Sequence, residues 1–141
     1  MDLAANIGGN RVDIPLDDFP IEAPFWDIGI KSVFHLSAAI RRAGTIILNG
    51  PSGVFENPDF ALGTIEMLNA CAESDGYAVM GGGHTATLVA QRGLANKMGH
   101  VSTGGDACLD YIAGRPLPAV VSLEQSAVAF GIDITSAERK V

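Results

Sequence analysis

The sequence has no apolar run approaching the roughly 20 residues that a helix needs to cross a bilayer. Its start, MDLAANIGGN, lacks the basic segment and apolar core of a signal peptide. Basic residues are also few, because nine Lys and Arg stand against 16 Asp and Glu, which gives a net charge of −7. The only basic pairs, Arg41-Arg42 and Arg139-Lys140, are too small for the basic surface that nucleic-acid binding requires. We therefore expect a cytosolic (cytoplasmic) protein that binds neither nucleic acid nor membrane.

Cysteine is scarce as well. Cys71 and Cys108 lie far apart in the chain and match no spacing of a zinc site. We interpret both as small buried apolar residues, since a disulfide is not expected in a reducing compartment. The 141 residues suit one domain, and 48% hydrophobic content is typical of an α/β domain with buried central strands.

The first third of the chain shows local turn and helix signals. Gly8-Gly9 between two short extended runs predicts a β-hairpin of structural role. Residues 15–24 hold three prolines and predict an irregular connector. A helical period runs from Ile30 to Ile40, and we predict Asp27 as the N-terminal anchor of that helix.

The remainder is a series of β-loop-α units. Strands are predicted at residues 45–48, 77–80 and 98–101, and each is followed by a glycine-rich loop and a helix. The helix after the first of these loops has a strong start in Asn57-Pro58-Asp59. Because parallel strands joined by right-handed crossovers end at one edge of a sheet, we expect an α/β fold whose three loops meet there and bind a ligand.

The middle loop, Gly81-Gly82-Gly83, allows more than one interpretation. Its glycines precede a helix, which suits a phosphate, but they also suit a sharp turn and close packing alone. No glycine is followed by Lys-Ser or Lys-Thr, as a P-loop requires. A GxGxxA match ending at Ala86 leaves an NAD-binding site as an alternative, although the next strand ends at Ser102 without the acid that would hold the ribose.

Three segments together resemble a known family. NGPSGVFE (residues 49–56), VMGGGHTA (79–86) and HVSTGGDA (100–107) are similar, in order and spacing, to three signature loops in the C-terminal domain of phosphoglycerate kinases. Flanking segments around Asp27-Ile28-Gly29 and at residues 117–120 are also similar, so the resemblance covers residues 1–120 and is closest to the archaeal branch. It implies a three-layer, Rossmann-like α/β domain with a parallel sheet, and leaves residues 121–141 as a tail of uncertain structure.

The resemblance also implies that this domain binds ATP or ADP with Mg²⁺. In the first loop, Asn49 would contact the nucleotide phosphates, Val54 would line the nucleoside pocket and Glu56 would hold the ribose hydroxyls. A carboxylate suits two hydroxyls because it accepts two hydrogen bonds. The alternatives are a turn-forming role for Asn49 and an exposed helix-start position for Glu56.

The second and third loops would hold the transferring end of the nucleotide. Gly82, Gly83 and Thr85 would lie against the phosphates. The third loop would place a helix N-terminus by the transferring phosphoryl group. In this loop, Ser102 and Thr103 would bind the cofactor, and Gly104 and Gly105 would be catalytic.

The sequence departs from the family pattern at two positions. His84 stands where an Asp that helps to hold Mg²⁺ is common, and imidazole is a poor ligand for this hard cation. We therefore predict no metal ligand in the chain and interpret His84 as a polar loop residue. Asp106 replaces the third glycine of the STGGG pattern, which favours the helix but weakens the hold on a phosphate.

The resemblance implies a reaction between 1,3-bisphosphoglycerate and ADP that gives 3-phosphoglycerate and ATP. The substrate-binding domain has no counterpart in these 141 residues. We therefore expect the nucleotide-binding part of a kinase, inactive alone, with an N-terminal substrate domain as its missing partner. The alternative is a non-enzymatic nucleotide-binding or assembly module with the same fold.

Overall fold

The computed structural model describes residues 1–133 and divides the chain into two compact units, Met1–Gly105 and Asp106–Val141. The strands are β1 (Asp2–Ile7), β2 (Asn10–Pro15), β3 (Phe25–Ile28), β4 (Thr45–Asn49), β5 (Tyr77–Gly81) and β6 (His100–Val101). The α-helices are α1 (Ile30–Arg41), α2 (Leu62–Glu73), α3 (Gly83–Gln91), α4 (Asp106–Ile112) and α5 (Pro118–Ala129).

The predicted N-terminal hairpin is confirmed. Strands β1 and β2 pair antiparallel up to Ile7 and Asn10, and the two residues between them, Gly8 and Gly9, have φ values of 59° and 88°. Two left-handed residues form the turn that matches the twist of a hairpin, which is why glycine suits both positions. The other edge of β1 pairs antiparallel with β3, so this sheet has the order β2-β1-β3.

The prediction that Asp27 anchors the N-terminus of α1 is wrong. Asp27 lies inside β3, whereas the anchoring carboxylates come from the hairpin. The amides of Ser32 and Lys31 donate to the Asp2 carboxylate at 2.8 and 3.2 Å, and the Ile30 amide donates to Asp13 at 2.8 Å. The free amides of the helix are therefore satisfied by residues distant in sequence, a source that local capping rules do not include.

The α/β fold with a parallel sheet is confirmed. Strands β4, β5 and β6 are parallel and adjacent in that order, with Ile46 opposite Ala78 and Leu48 opposite Met80. One face of this sheet packs against α2 and α3. The resulting core consists of buried residues from β4, β5, α2 and α3: Ile46, Leu68, Cys71, Ala78, Met80 and Val89.

Other apolar positions of the same elements are open to solvent. Ile47 and Tyr77, on the face of the sheet opposite the core, are 47% and 56% exposed. In α1, the periodic positions Val33 and Ser37 are buried, but Phe34 is 79% exposed. The helix is confirmed, but its apolar stripe is only partly covered.

The second unit is described on its own. Helix α4 follows the third loop, where the sequence predicts a helix. Helix α5 has Pro118 in its first turn and extends into the segment from residue 121 that the sequence left as a tail of uncertain structure. Arg115 forms an ion pair of 3.0 Å with Asp110. The division predicted at residue 120 stays a prediction, and residues 134–141 of the predicted tail lie outside the described part.

Both cysteines are free. Cys71 is buried as predicted, and burial raises the pKa of its thiol to about 11. Cys108 is only half-buried, so the prediction of full burial is wrong at that position. Within residues 1–133, no helix has both the length and the apolar character needed to cross a bilayer.

The Asp2 anchor leads to a pH-dependent prediction. Burial raises the pKa of Asp2, but hydrogen bonds from Ser32 and Lys31 and the Lys31 charge together bring it below its ordinary value of 3.8. Its stabilisation is therefore present above pH 3.8 and is lost as the pH falls through the lowered pKa. Asp2→Asn should reduce the free energy of unfolding at neutral pH by about 1 kcal/mol.

Urea denaturation at a series of pH values measures this effect. The difference between wild type and Asp2→Asn should narrow below pH 3.8. Asp17→Asn is the control, since Asp17 is exposed and the change removes the same charge. A difference that stays constant across the pH range would contradict the role given to Asp2.

Candidate functional site

The three glycine-rich loops leave the parallel sheet at one edge, as predicted. Asn49 at the end of β4 lies opposite Gly81 at the end of β5, and β6 ends beside them. The loops are joined by backbone hydrogen bonds, in which the Gly50 amide donates to Gly81 at 3.3 Å and the Gly82 amide donates to Gly104 at 3.1 Å. Residues from all three predicted segments therefore form one continuous surface.

Asn49 stands at the centre of this surface. A Cβ atom at Gly81 would come within 2.5 Å of its Oδ1 atom, and one at Gly105 would come within 3.8 Å. Gly82 has a φ of 96°, a conformation that other residues rarely adopt. The close approach of Asn49 to the second loop therefore depends on glycine at position 81, whereas a Cβ at position 105 would make only ordinary van der Waals contact with Asn49.

The second loop presents the N-terminus of α3. Gly82 caps the helix, and its carbonyl accepts the first intrahelical bond from Ala86 at 2.9 Å. The amides of Gly83, His84 and Thr85 therefore have no acceptor inside the helix. Together with the positive end of the helix dipole, they form a group of donors suited to an anion.

Thr85 adds a polar atom with no partner. The residue is 2% exposed, and its hydroxyl is the buried side-chain polar atom that lacks a hydrogen bond among residues 1–133. An unsatisfied buried hydroxyl costs about 1–3 kcal/mol. Because the hydroxyl lies 3.9 Å from where a Cβ of Gly82 would stand, a ligand at the glycine turn is a natural partner for it.

The third loop is held in place by its own serine. The Ser102 hydroxyl lies 3.2 Å from the Gly104 amide and 3.3 Å from the Gly104 carbonyl, and the Ser102 amide donates to Met80 at 2.7 Å. The carbonyl of Thr103 lies 4.0 Å from the position of a Cβ at Gly83. The structure therefore brings Ser102, Thr103, Gly104 and Gly105 beside the second loop.

The first loop is fixed from two directions. The Val54 amide donates to the Trp26 carbonyl of β3 at 2.7 Å. The Thr64 hydroxyl of α2 accepts from the amides of Ser52 and Gly53 at 3.1 and 3.3 Å. The backbone that carries Val54 is thus held between β3 and α2.

Beyond that anchored backbone, Glu56 is exposed, and no hydrogen bond involves its carboxylate among residues 1–133. The predicted helix start follows it. The Asn57 side chain accepts from the Asp59 amide at 3.0 Å, and Pro58–Phe60 form a 3-10 turn before α2 begins. Glu56 therefore stands at the open end of the first loop with its acceptor capacity unused.

A cavity of about 280 Å³ opens between β3 and the first loop. Its walls include Phe25 and Trp26 on one side and Pro51, Gly53 and Val54 on the other. Sequence reasoning missed Trp26. The available signal was that it is the only tryptophan of the chain and directly precedes the Asp27-Ile28-Gly29 segment.

A larger cavity, of about 640 Å³, lies where α2 ends and is lined by residues such as Glu73, Asp75 and Lys97. These residues precede β5 and β6, so the cavity belongs to the opposite edge of the parallel sheet. It contains none of the predicted site residues.

His84 is exposed and lies against the first loop, with its ring centre 6.1 Å from that of Phe55. Residues 1–133 contain no group of three His, Cys, Asp or Glu side chains able to hold a metal ion. The contact with Phe55 gives His84 a place in the packing of the two loops.

Comparison with known proteins identifies similar chains. A model of the family described as "Phosphoglycerate kinase" matches residues 2–115. The phosphoglycerate kinase of Methanothermus fervidus is 43% identical over 126 residues, which cover 89% of this chain and 30% of that protein. The phosphoglycerate kinase of Methanocorpusculum labreanum is 45% identical over 121 residues, covering 86% and 30%.

A solved structure is also similar to this chain. The crystal structure of phosphoglycerate kinase from Pyrococcus horikoshii superposes with a TM-score of 0.73 at 35% identity, covering 87% of this chain and 31% of that one. The chain therefore spans about 30% of the length of the curated relatives that it matches.

Two buried threonines provide a matched test of the unpartnered hydroxyl. Thr85 and Thr64 are 2% and 3% exposed, but only Thr64 accepts hydrogen bonds. Thr85→Val should leave the free energy of unfolding unchanged or raise it, because the lone hydroxyl is removed. Thr64→Val should lower it by about 1–3 kcal/mol, because two loop amides lose their acceptor.

Urea denaturation of both variants, without ligand, compares them directly. A loss of stability in Thr85→Val as large as that in Thr64→Val would show that the Thr85 hydroxyl has a partner within the protein.

Proposed function

Because the chain belongs to the phosphoglycerate kinase family, we propose that its first unit binds an adenine nucleotide along the carboxyl edge of the parallel sheet. The observation that carries this proposal is the meeting of three loops around Asn49, with the free amides of α3 and the unpartnered Thr85 hydroxyl at one end. The cavity beside Trp26 lies at the other end of the proposed site.

The phosphate end lies at the second and third loops. A protein with a net charge of −7 repels anions at long range, so local donors must provide the attraction. The amides of Gly83 and Thr85 and the Thr85 hydroxyl supply such donors without any basic side chain. Asn49, Gly82, Ser102 and Thr103 surround the same position.

The nucleoside end lies at the first loop. The residues that line the 280 Å³ cavity include the aromatic Phe25 and Trp26 and the aliphatic Val54, a composition that suits a purine base. Glu56 follows two residues after Val54 and has both carboxylate oxygens available for ribose hydroxyls.

Magnesium enters this proposal as part of the nucleotide substrate. The side chains of residues 1–133 do not fit a protein-held Mg²⁺ site, because His84 offers nitrogen and no carboxylate cluster surrounds it. The phosphate oxygens of the nucleotide are the ligands of this ion, and the protein amides hold the opposite side of the phosphates.

The reaction proposed is phosphoryl transfer between 1,3-bisphosphoglycerate and ADP. Such transfer depends on positioning and on stabilising charge at the equatorial oxygens. Fixed amide dipoles at Gly105 and the α3 N-terminus supply that stabilisation without reorganisation, while the Ser102 hydroxyl holds the Gly104 amide in place. The 1,3-bisphosphoglycerate, which donates the phosphoryl group, would be held by a separate substrate domain, since the chain spans about 30% of the length of its relatives. The setting would be the cytoplasm.

A non-enzymatic assembly module is the second candidate. The exposed apolar side chains Ile47 and Tyr77 on the open face of the parallel sheet favour it. Size-exclusion chromatography separates the two candidates, because a stable oligomer without affinity for nucleotide would support assembly alone.

The binding proposal predicts a specific effect of Thr85→Val. Calorimetric titration should show that wild type binds MgATP and, more weakly, magnesium tripolyphosphate. Thr85→Val should weaken both by about tenfold, since it removes one hydrogen bond to a charged group. Thr45→Val, at the exposed start of β4, is the control and should change neither. Equal affinity of wild type and Thr85→Val for both ligands would contradict the assignment of the phosphate end.

Turnover gives a second prediction. The purified 141-residue chain should transfer no phosphoryl group from MgATP to 3-phosphoglycerate, because it spans about 30% of the length of its relatives and we propose that the acceptor is held by a separate domain. A coupled assay that follows ADP release measures this. Steady turnover by the chain alone would contradict the requirement for a separate substrate domain.

A further inference from the structure

A charged network lies beneath the first loop and takes no direct part in the proposed chemistry. Arg11 of β2 pairs with Asp27 of β3 at 2.9 Å, and the Asp27 side chain is fully buried. The same guanidinium pairs with Asp13 at 3.0 Å and donates to the carbonyls of Ile28 and Asp59 at 2.8 and 3.1 Å. Its directions are therefore fixed by four separate partners.

The buried carboxylate of Asp27 faces the segments that carry the nucleoside end. Its Oδ2 atom accepts from the Gly63 amide at the start of α2 at 2.8 Å. Its Oδ1 atom lies 2.5 Å from the position that a Cβ at Gly53 would occupy. Asp27 also lines the 280 Å³ cavity. The backbone of the first loop therefore lies directly on this carboxylate.

Stability alone is a weak reason for this arrangement. Burying an ion pair requires desolvation of both charges, and apolar replacements of similar volume are often no less stable. The hydrogen-bond partners of the pair also lie in one part of the molecule, because they belong to the hairpin, β3, the 3-10 turn before α2 and the start of α2. The second and third loops have their own connections through Gly82 and Ser102.

We propose that Asp27, oriented by Arg11, is a positioning residue that sets the nucleoside half of the site through Gly53, while the phosphate half is independent of it. The inference rests on the proposed function and adds that the nucleoside half and the phosphate half of the site are positioned by different residues. The strand residue that precedes Asp27 is Trp26, which both lines the cavity and accepts the Val54 amide. A shift of the Asp27 carboxylate therefore displaces both walls of the nucleoside cavity.

Two variants disturb this contact in different ways. Asp27→Asn keeps the shape of the side chain but removes the charge that orients Arg11. Gly53→Ala keeps both charges but puts a methyl group 2.5 Å from the Asp27 Oδ1 atom and 2.6 Å from the Trp26 carbonyl oxygen, so that these groups must shift. Each should weaken MgATP binding by about tenfold and leave the affinity for magnesium tripolyphosphate, which has no nucleoside, within twofold of wild type. Glu56→Ala, which removes the proposed ribose contact itself, should show the same pattern.

The matched control is Glu73→Gln. It removes the exposed ion pair of 2.7 Å between Glu73 and Arg41 and should change neither affinity. Calorimetric titration of the full 141-residue chain with each ligand gives the ratio of the two affinities, and a general loss of structure would not change that ratio selectively.

The possible outcomes distinguish a failure of the inference from a failure of the proposed function. A selective loss of MgATP affinity in both variants supports the inference. Equal weakening of both ligands, or no change in either, overturns it while the proposed function stands. If wild type binds neither ligand, the proposed function fails and the inference fails with it.

Discussion

Parallel pairing between the ends of β4, β5 and β6 is the constraint on which the candidate site depends. Asn49 lies opposite Gly81, so the chain must leave the sheet at the same edge after each strand. The bonds from Gly50 to Gly81 and from Gly82 to Gly104 then join the loops side by side. Burial of Ile46, Ala78 and Met80 fixes this pairing, because a slip by one residue would turn those side chains out of the core. The same hydrophobic face therefore determines both the fold and the position of the site.

Features encoded over short distances could be predicted from the sequence. The hairpin turn follows from two adjacent glycines, β4 from a β-branched run, and the start before α2 from Asn57 and Pro58. The meeting of the three loops could also be predicted. Strand, glycine loop and helix recur in that order, and parallel strands joined by helices end at the same edge of a sheet. The roles of Asn49, Val54 and Glu56 were predicted from the family resemblance, and the structure adds the surroundings of these residues.

Features that depend on distant contacts could not be predicted. Strand β3 has only four residues and forms because β1, which ends at Ile7, offers it a free edge. Aspartate is a residue type that often caps helices, but Arg11 and the Gly63 amide hold Asp27 inside the sheet. The carboxylate of Asp2 accepts from the amides of the helix instead. Trp26 joins the candidate site only because β3 runs beside the first loop. No local pattern contains these three relationships.

The hydrogen bonds between Asp2 and Ser32 have a consequence for the order in which the chain assembles. Asp2 and Ser32 exchange backbone and side-chain bonds of 2.6 to 2.8 Å, so the antiparallel sheet and the start of α1 are complete once residue 32 is available. The parallel sheet needs contacts as distant as His100. Since shorter loop closures form sooner, we expect the hairpin sheet to form before the first loop, which would then bind through Val54 to a strand already in place. During synthesis, the surface that receives the loop would thus be ready before the loop itself emerges.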